Sequence, residues 1–262
     1  MSEPTISALV VIHNEDEVLD ACLERLGWVD ELVVVLDKCT DQSKEIALKY
    51  GARLLEGSWE FEGDRRNTGI EFCNTDWVLE VDADEWITEE LATEIRETIA
   101  ATSFDVHNLA VHNYIGDKYI KHGWGGGAFG KQGYIGLFRK GVKHWGPQRI
   151  HPHLTVSGTE GPTLKSPVVH HIDRNISDML QRLDRYTTWR AKDLVDNDEV
   201  GKLPNMIRKF FSRFWKVYVV RGAYKENGYG FMNALCTALY PLIAHIKAVQ
   251  EELPAKQKSV MD

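Results

Sequence analysis

Residues 76–86 read Asp76-Trp77-Val78-Leu79-Glu80-Val81-Asp82-Ala83-Asp84-Glu85-Trp86. The short apolar run is that of a strand buried in a sheet. It stops abruptly on three carboxylates, Asp82, Asp84 and Glu85. Side chains alternate along a strand, so Asp82 and Asp84 point to one side if the extension continues. Two ionised carboxylates that close repel each other unless a cation or hydrogen-bond donors compensate. Hard divalent cations such as Mg²⁺ or Mn²⁺ take such oxygen ligands and share them with substrate phosphates. The plain alternative is a group of solvated acids at a strand end, with Glu85 starting the next helix. The apolar run favours a site, because ligands of open α/β sheets bind at the carboxyl ends of the strands.

Upstream, the same alternation repeats. Ile6 to Ile12 is a β-branched strand that stops at His13-Asn14-Glu15-Asp16. Asp16 is a candidate cap for a helix with Val18, Leu19, Cys22, Leu23 and Leu26 at helical spacing. Leu32 to Leu36 is a second strand, ending at Asp37, and Thr40 or Asp41 can cap a helix over Gln42 to Tyr50 that Gly51 stops. Ala52 to Leu55 is a third strand. Gly63 to Cys73 carries Arg65-Arg66-Asn67 into a helix, and a further helix is capped by Thr88. Strand followed by helix four times implies a parallel, right-handed α/β sheet, whose strand ends share one edge. Glu15, Asp37, Asp82 and Asp84 then converge, although each of the first two alone is as well explained by helix capping or loop solvation.

From Phe104 to about His170 the strands become shorter and mixed: Val106 to Tyr114, Lys118 to His122, Tyr134 to Arg139, His153 to Ser157 and Thr163 to His170. Gly123-Trp124-Gly125-Gly126-Gly127 lacks the spacing of a nucleotide-binding glycine fingerprint. It is a lid, an acceptor-contacting loop or a plain turn. His144, His151, His153, His170 and His171 gather in this half, and His151 or His153 could join the aspartates on a metal or act as a base near neutral pH.

After Asp173 the chain is helical, with a helix from Ile176 to Leu194 and a polar break over Asp196 to Pro204. Lys202 to Lys225 contains seven basic residues (Lys202, Arg208, Lys209, Arg213, Lys216, Arg221, Lys225) and no acid, interleaved with aromatics. Such a helix either lies in an anionic membrane interface or packs its aromatics on the domain with a solvated basic face. Phe231 to Val249 is a second apolar helix, too short and too broken by Pro241 to read as spanning. The natural division is 1–175 and a helical, basic and aromatic extension, 176–262.

The 262 residues carry a net charge of −8, which argues against a general nucleic-acid binder. Four scattered cysteines without a C-x-x-C pair suggest reduced thiols in a cytosolic protein. No secretory signal opens the chain, and no uninterrupted apolar run approaches the roughly 18 residues of a spanning helix.

Taken together these residues resemble the family 2 glycosyltransferases of GT-A fold. The likeness rests on the strand from Ser7 to Glu15, on Val33 to Asp37 with Thr40-Asp41, on Arg65-Arg66-Asn67 and on Asp76 to Glu85. More narrowly, Trp77 to Glu85, Leu137-Phe138-Arg139-Lys140-Gly141, Leu183-Asp184-Arg185-Tyr186-Thr187-Thr188 and Phe214-Trp215-Lys216-Val217-Tyr218 resemble bacterial lipopolysaccharide-core glucosyltransferases. The resemblance implies an inverting hexosyltransferase that uses Mn²⁺ or Mg²⁺. It would move a sugar from a nucleotide donor, a UDP-linked one, to a lipid-anchored envelope glycan. The enzyme would sit on the cytoplasmic face of an anionic membrane. It implies that Glu15 and Asp37 contact the base and ribose and that Arg66 contacts the base or diphosphate. Asp82 would lie near the ribose or metal, Asp84 would bind the metal, and His151 would serve the metal or diphosphate. The chain departs from the pattern in two places: Leu36 precedes Asp37, and Pro152 follows His151 where relatives carry glutamate. The base is therefore left among His153, Asp173 and Glu85. Two rival readings remain: a non-catalytic nucleotide-sugar-binding scaffold on the membrane, and a nucleotidyltransferase, although the latter normally carries a glycine-rich basic loop after its first strand.

Overall fold

The computed structural model describes residues 3–124 and 131–253. The order is β1 (Ile6–Ile12), α1 (Asp16–Leu23), β2 (Glu31–Asp37), α2 (Ser43–Lys49), β3 (Arg53–Gly57), α3 (Glu62–Phe72), β4 (Trp77–Val81), β5 (Glu85–Trp86) and α4 (Glu89–Ala101). Then follow β6 (Val106–Ile115), β7 (Lys118–Ile120), β8 (Gly133–Arg139), β9 (Lys143–Trp145), β10 (Leu154–Val156) and β11 (Leu164–Asp173). The helices α5 (Ile176–Asp196), α6 (Leu203–Trp215) and α7 (Asn227–Lys247) complete the chain.

The chain forms two compact units. The first takes the described residues of Met1–His112, Gly133–Gln148 and Pro152–His171; the second takes those of Asn113–Gln132, Arg149–His151 and Ile172–Asp262. The second unit thus joins the described residues of two earlier segments, 113–132 and 149–151, to the C-terminal helices.

In the first unit the four expected strands are parallel in the order β3-β2-β1-β4, and the sheet continues through β8, β6, β11 and β5. β8 pairs antiparallel with β4 and β6, which makes the second half mixed. β4 is buried along its whole length. Trp77, Leu79 and Val81 pack with Leu19, Leu23, Leu91 and Ile95, and Val78 packs on the opposite face with Ile70. The strand predicted over His153 to Ser157 is the shorter β10, which forms a separate two-stranded ribbon with β9. Thr88 caps α4 as expected, its hydroxyl accepting from the Leu91 amide at 3.2 Å.

Asp16 does not cap α1. Glu15 holds the N-cap position without a side-chain cap bond, and the acids instead tie two strand tips together. Asp16 accepts from the Gln42 amide (3.3 Å), Asp41 accepts from the Asp16 amide (3.0 Å) and Asn14 accepts from the Thr40 amide (2.8 Å). Asn14 and Lys38, just past β1 and β2, take left-handed φ of 57° and 53°. A lysine there costs of order 1–3 kcal/mol. Its amide donates to Gly57 O at 3.0 Å and its ammonium to Trp59 O, which holds the turn.

In the second unit Asn175 caps α5, accepting from the Asp178 amide at 3.0 Å. Asp173 takes a two-pronged bond from Arg182 at 3.1 and 2.6 Å. Glu226 accepts from the amides of Lys121 (3.1 Å) and His122 (3.0 Å). The last apolar helix is longer than its sequence suggested, because short 3-10 and π segments extend α7 at its two ends. Among the described residues one helix, Ala223–Glu252, is long and apolar enough to cross a membrane by length and composition, with 44% of its apolar window buried in the protein. Residues Gly125, Gly126 and Gly127 of the expected loop lie outside the described residues.

α3 approaches the chain after β9 so closely that a Cβ on Gly63 would lie 1.9 Å from the Gly146 carbonyl oxygen. Gly63→Ala is therefore expected to cost about 1–3 kcal/mol in chemical unfolding. Gly27→Ala, whose Cβ would have no neighbour within 4 Å, should change stability by less than about 0.5 kcal/mol.

Candidate active site

β4 ends at Val81, and the Glu85 amide donates to Asp82 O at 3.0 Å, closing a turn. The extension does not continue, so the two-residue spacing does not bring Asp82 and Asp84 to one partner. Asp82 meets Arg66 Nη2 at 3.0 Å. Asp84 Oδ2 lies 3.3 Å from His170 Nε2. That imidazole is delivered by the antiparallel pairing of β5 with β11, which sets His170 opposite Glu85. The His171 amide also donates to Asp84 O at 2.9 Å. The Asp84 side chain keeps 35% of its surface open and that of Asp82 keeps 33%, whereas His170 is buried.

Beneath the tip is a buried ionic cluster. Glu80 faces the α3 side of β4 and accepts from Lys143 Nζ at 2.7 Å, Arg66 Nη1 at 2.5 Å and Trp145 Nε1 at 3.2 Å. Arg66 also pairs with Glu62 at 2.9 Å, one helical turn away. Burial alone raises the Glu80 carboxyl, but Lys143 and Arg66 outweigh it and hold it below the usual 4.5. Burial likewise opposes charge on Arg66, and Asp82, Glu62 and Glu80 overcome that and raise it. Asn67 fastens α3 to β9 with a reciprocal pair, donating to Trp145 O at 2.8 Å and accepting from the Trp145 amide at 2.9 Å. Glu85 is fully buried and accepts from the Tyr134 hydroxyl at 2.6 Å and the Asp82 amide at 3.1 Å. Burial first, then the Glu85 charge, pushes the Tyr134 hydroxyl far up, so it stays a donor.

The other sequence-predicted residues divide. Asp37, at the tip of β2, is buried and accepts from the Trp59 amide (3.0 Å) and Arg65 Nη1 (3.3 Å). Glu15 follows β1, its amide donating to Ser43 Oγ at 3.2 Å. Glu15, Asp37, Arg66, Asp82 and Asp84 thus all belong to the C-terminal edge of the parallel strands or to the helix packed beside it. Arg66 turns inward, toward Glu62, Glu80 and Asp82. His151 belongs to the helical unit, with a φ of 50° and its ring 5.7 Å from that of Tyr186 and 6.2 Å from that of Tyr240. The imidazole that meets Asp84 is His170. Of the three candidate bases, Asp173 is paired with Arg182 and Glu85 with Tyr134. The His153 side chain is exposed, and its amide donates to Gln148 Oε1 at 2.8 Å.

Among the described residues no group of three or more His, Cys, Asp and Glu side chains is placed to hold an ion alone. Mg²⁺ and Mn²⁺ do not need one, since one or two carboxylates plus substrate phosphates and water complete their shells. A half-open carboxylate beside an imidazole, at a strand end, fits that donor chemistry.

The family model described as glycosyl transferase family 2 matches residues 7–147, more than half of the chain and every strand tip just described. The chain belongs to glycosyl transferase family 2. It is 22% identical to the lipopolysaccharide core biosynthesis glycosyltransferase LpsC of Rhizobium meliloti, over 98% of this chain and 96% of that one. It is 30% identical to an uncharacterized glycosyltransferase of Rickettsia typhi, over 98% of this chain and 90% of the relative. Among solved structures, S. aureus TarS 1-349 aligns with a TM-score of 0.48 at 16% identity, over 96% of this chain and 82% of that one. The protein is therefore a glycosyltransferase of GT-A fold that resembles lipopolysaccharide-core enzymes.

In this glycosyltransferase the sequence reasoning missed Lys143, Tyr134 and the role of Glu80. The signal was present: an acid in the middle of the apolar run Trp77 to Val81 must find buried donors. Lys143→Met should cost about 3–5 kcal/mol in urea unfolding, because it strips a buried carboxylate of a counter-charge. A carboxyl whose folded pKa is lowered stabilises the fold above its unfolded pKa and loses that contribution as pH falls below it. Stability should therefore decline as pH drops below about 4.5, the unfolded glutamate value. The double variant Glu80→Gln, Lys143→Met should show a shallower decline, measured by urea titrations between pH 6 and pH 3.

Proposed function

We propose that this protein is a metal-dependent, inverting glycosyltransferase that moves a hexose from a UDP-sugar to a lipid-anchored envelope glycan of the lipopolysaccharide-core type. The observation that carries the reading is the Asp84–His170 pair, half open at the end of β4, with Asp82 fixed beside it by Arg66. Asp84 and His170 hold the cation, with Asp82 near it or near the ribose. When bound, a divalent cation supplies positive charge to the diphosphate that leaves with the nucleoside. Asp37 and Glu15 serve the base and ribose at the neighbouring tips. Arg66 acts through Asp82, whose carboxylate it orients and whose charge it offsets. Glu85, locked by Tyr134 and the Asp82 amide, holds the turn that aims Asp84. Inversion requires a base on the face of the sugar opposite the leaving group. His153 is the exposed one among the three candidates, and we assign it that role.

Isothermal titration of UDP in the presence of Mn²⁺ tests the donor half. Micromolar to millimolar binding is expected, falling at least about tenfold in Asp84→Ala and several-fold in His170→Ala. Unchanged binding in Asp84→Ala would sink the metal reading. His153→Ala should lower the transfer rate by about 10²–10⁴ with UDP affinity intact. Binding without transfer to any envelope acceptor would favour the scaffold alternative.

A further inference from the structure

Helix α6 presents an apolar ridge to solvent. Leu203, Ile207, Phe211 and Trp215 follow one another at intervals of four residues, and all are exposed, Phe211 by 66% and Trp215 by 62%. The same helix buries Met206 and half-buries Phe210 and Phe214, so it is anchored in its own unit by a different side. The ridge is therefore not the core face of a helix that lacks a core. The aromatic surface continues beyond it: Phe231 of α7 is exposed by 45% and meets the rings of Phe214 and Tyr218 at 5.8 and 5.9 Å. Exposed on the rest of the same helix are Arg208, Lys209, Arg213 and Lys216, with Arg208 and Lys216 nearest the ridge around the helix axis. Among the described residues none of these four forms an ion pair, and no acid occurs between Lys202 and Lys225. In a chain of net charge −8 this unneutralised segment is an exception.

A contiguous apolar strip on a water-facing helix is unfavourable unless something covers it. A strip of apolar and aromatic side chains flanked by free cations matches a surface with hydrocarbon inside and anions at its rim. We infer that the Leu203–Ile207–Phe211–Trp215 ridge of α6 lies in the headgroup layer of an anionic membrane, with Arg208 and Lys216 on the lipid phosphates and Lys209 and Arg213 adding to the positive field of the segment. The helix lies along the interface and does not cross it. A second copy of the chain is the weaker occupant, because self-association through this face would bring two uncompensated basic flanks together. The inference deepens the acceptor half of the proposed function and rests on that half for its purpose. Its chemistry stands on α6 alone.

Vesicle co-sedimentation of the full chain, read without turnover, separates the two. The protein should pellet with vesicles rich in phosphatidylglycerol, pellet poorly with phosphatidylcholine vesicles, and be largely released at 1 M salt. Phe211→Ser with Trp215→Ser should lower partition at least about tenfold. Arg208→Gln, Lys209→Gln and Lys216→Gln together should lower it on the order of a hundredfold on anionic vesicles. All substituted side chains are exposed, and circular dichroism should show both variants folded. Equal recovery on neutral vesicles, or no change in either folded variant, overturns the inference. A dimer seen by light scattering without lipid and abolished by Phe211→Ser overturns it in favour of a second copy. Vesicle binding that persists where UDP titration shows no donor binding supports the ridge and counts against the donor reading alone.

Discussion

The first unit depends on how one buried carboxylate is neutralised. Glu80 sits in a strand buried along its whole length, where an unpaired ion would cost several kcal/mol. Its counter-charges arrive from two other elements, Lys143 of β9 and Arg66 of α3. Neither can move away without leaving Glu80 exposed to that cost, so the pair fixes where α3 and β9 lie on the sheet. Trp145 seals the cluster, donating to Glu80 while its ring lies 5.6 Å from the Arg66 guanidinium and 4.5 Å from the Lys143 ammonium. Such a cluster is weak evidence for stability, since an apolar replacement of the same shape could do as well. Its value is positional: Arg66 has donors left over, and these hold Asp82.

That arrangement gives the two aspartates different surroundings although they stand two residues apart. A strand continuing through Asp84 would have set both on one face. The turn closed by Glu85 instead sends Asp82 toward a permanent cation, Arg66, and Asp84 toward His170. The carboxylates no longer compete for one counter-charge. Burial and the acids at the turn also push the Cys22 thiol beneath them upward, so it packs there as an uncharged group.

The parallel half of the fold was legible because its elements are local and strongly patterned. Ile6 to Ile12 and Leu32 to Leu36 are runs that only a doubly covered sheet can bury, and the structure moves their ends by a residue or less. That Glu15, Asp37 and Asp82 follow the ends of neighbouring parallel strands came from topology alone. What stayed hidden depends on contacts distant in sequence. β9 is three residues long and owes its existence to Asn67, Glu80 and β10, so no periodicity could announce it. His170 could not be told from His151 by spacing, because the choice was made by an antiparallel pairing between a two-residue strand and β11. The Asp16 cap failed for a related reason: Asp16 accepts from the Gln42 amide on the neighbouring strand tip instead of from its own helix, whereas Asp41 accepts both from the Asp16 amide and from the Ser43 amide that opens α2.

The electrostatics of the tip bear on the donor reading. On the proposed reading, a leaving diphosphate would carry negative charge into a place already supplied with Asp37, Asp82 and Asp84. The nearby guanidinium groups do not offset it, for Arg65 is turned to Asp37 and Arg66 to Asp82, Glu80 and Glu62. Adding two or more phosphate charges to that field is unfavourable by Coulomb repulsion in a partly desolvated site. Of these three aspartates Asp84 is the one that meets no lysine or arginine among the described ion pairs, and its partner His170 is uncharged unless protonated. On the proposed reading, a divalent ion at Asp84 would add positive charge beside the donor phosphates and would leave the arginines that hold the turn in place. The same acids that would repel a bare nucleotide are what would keep such an ion in place.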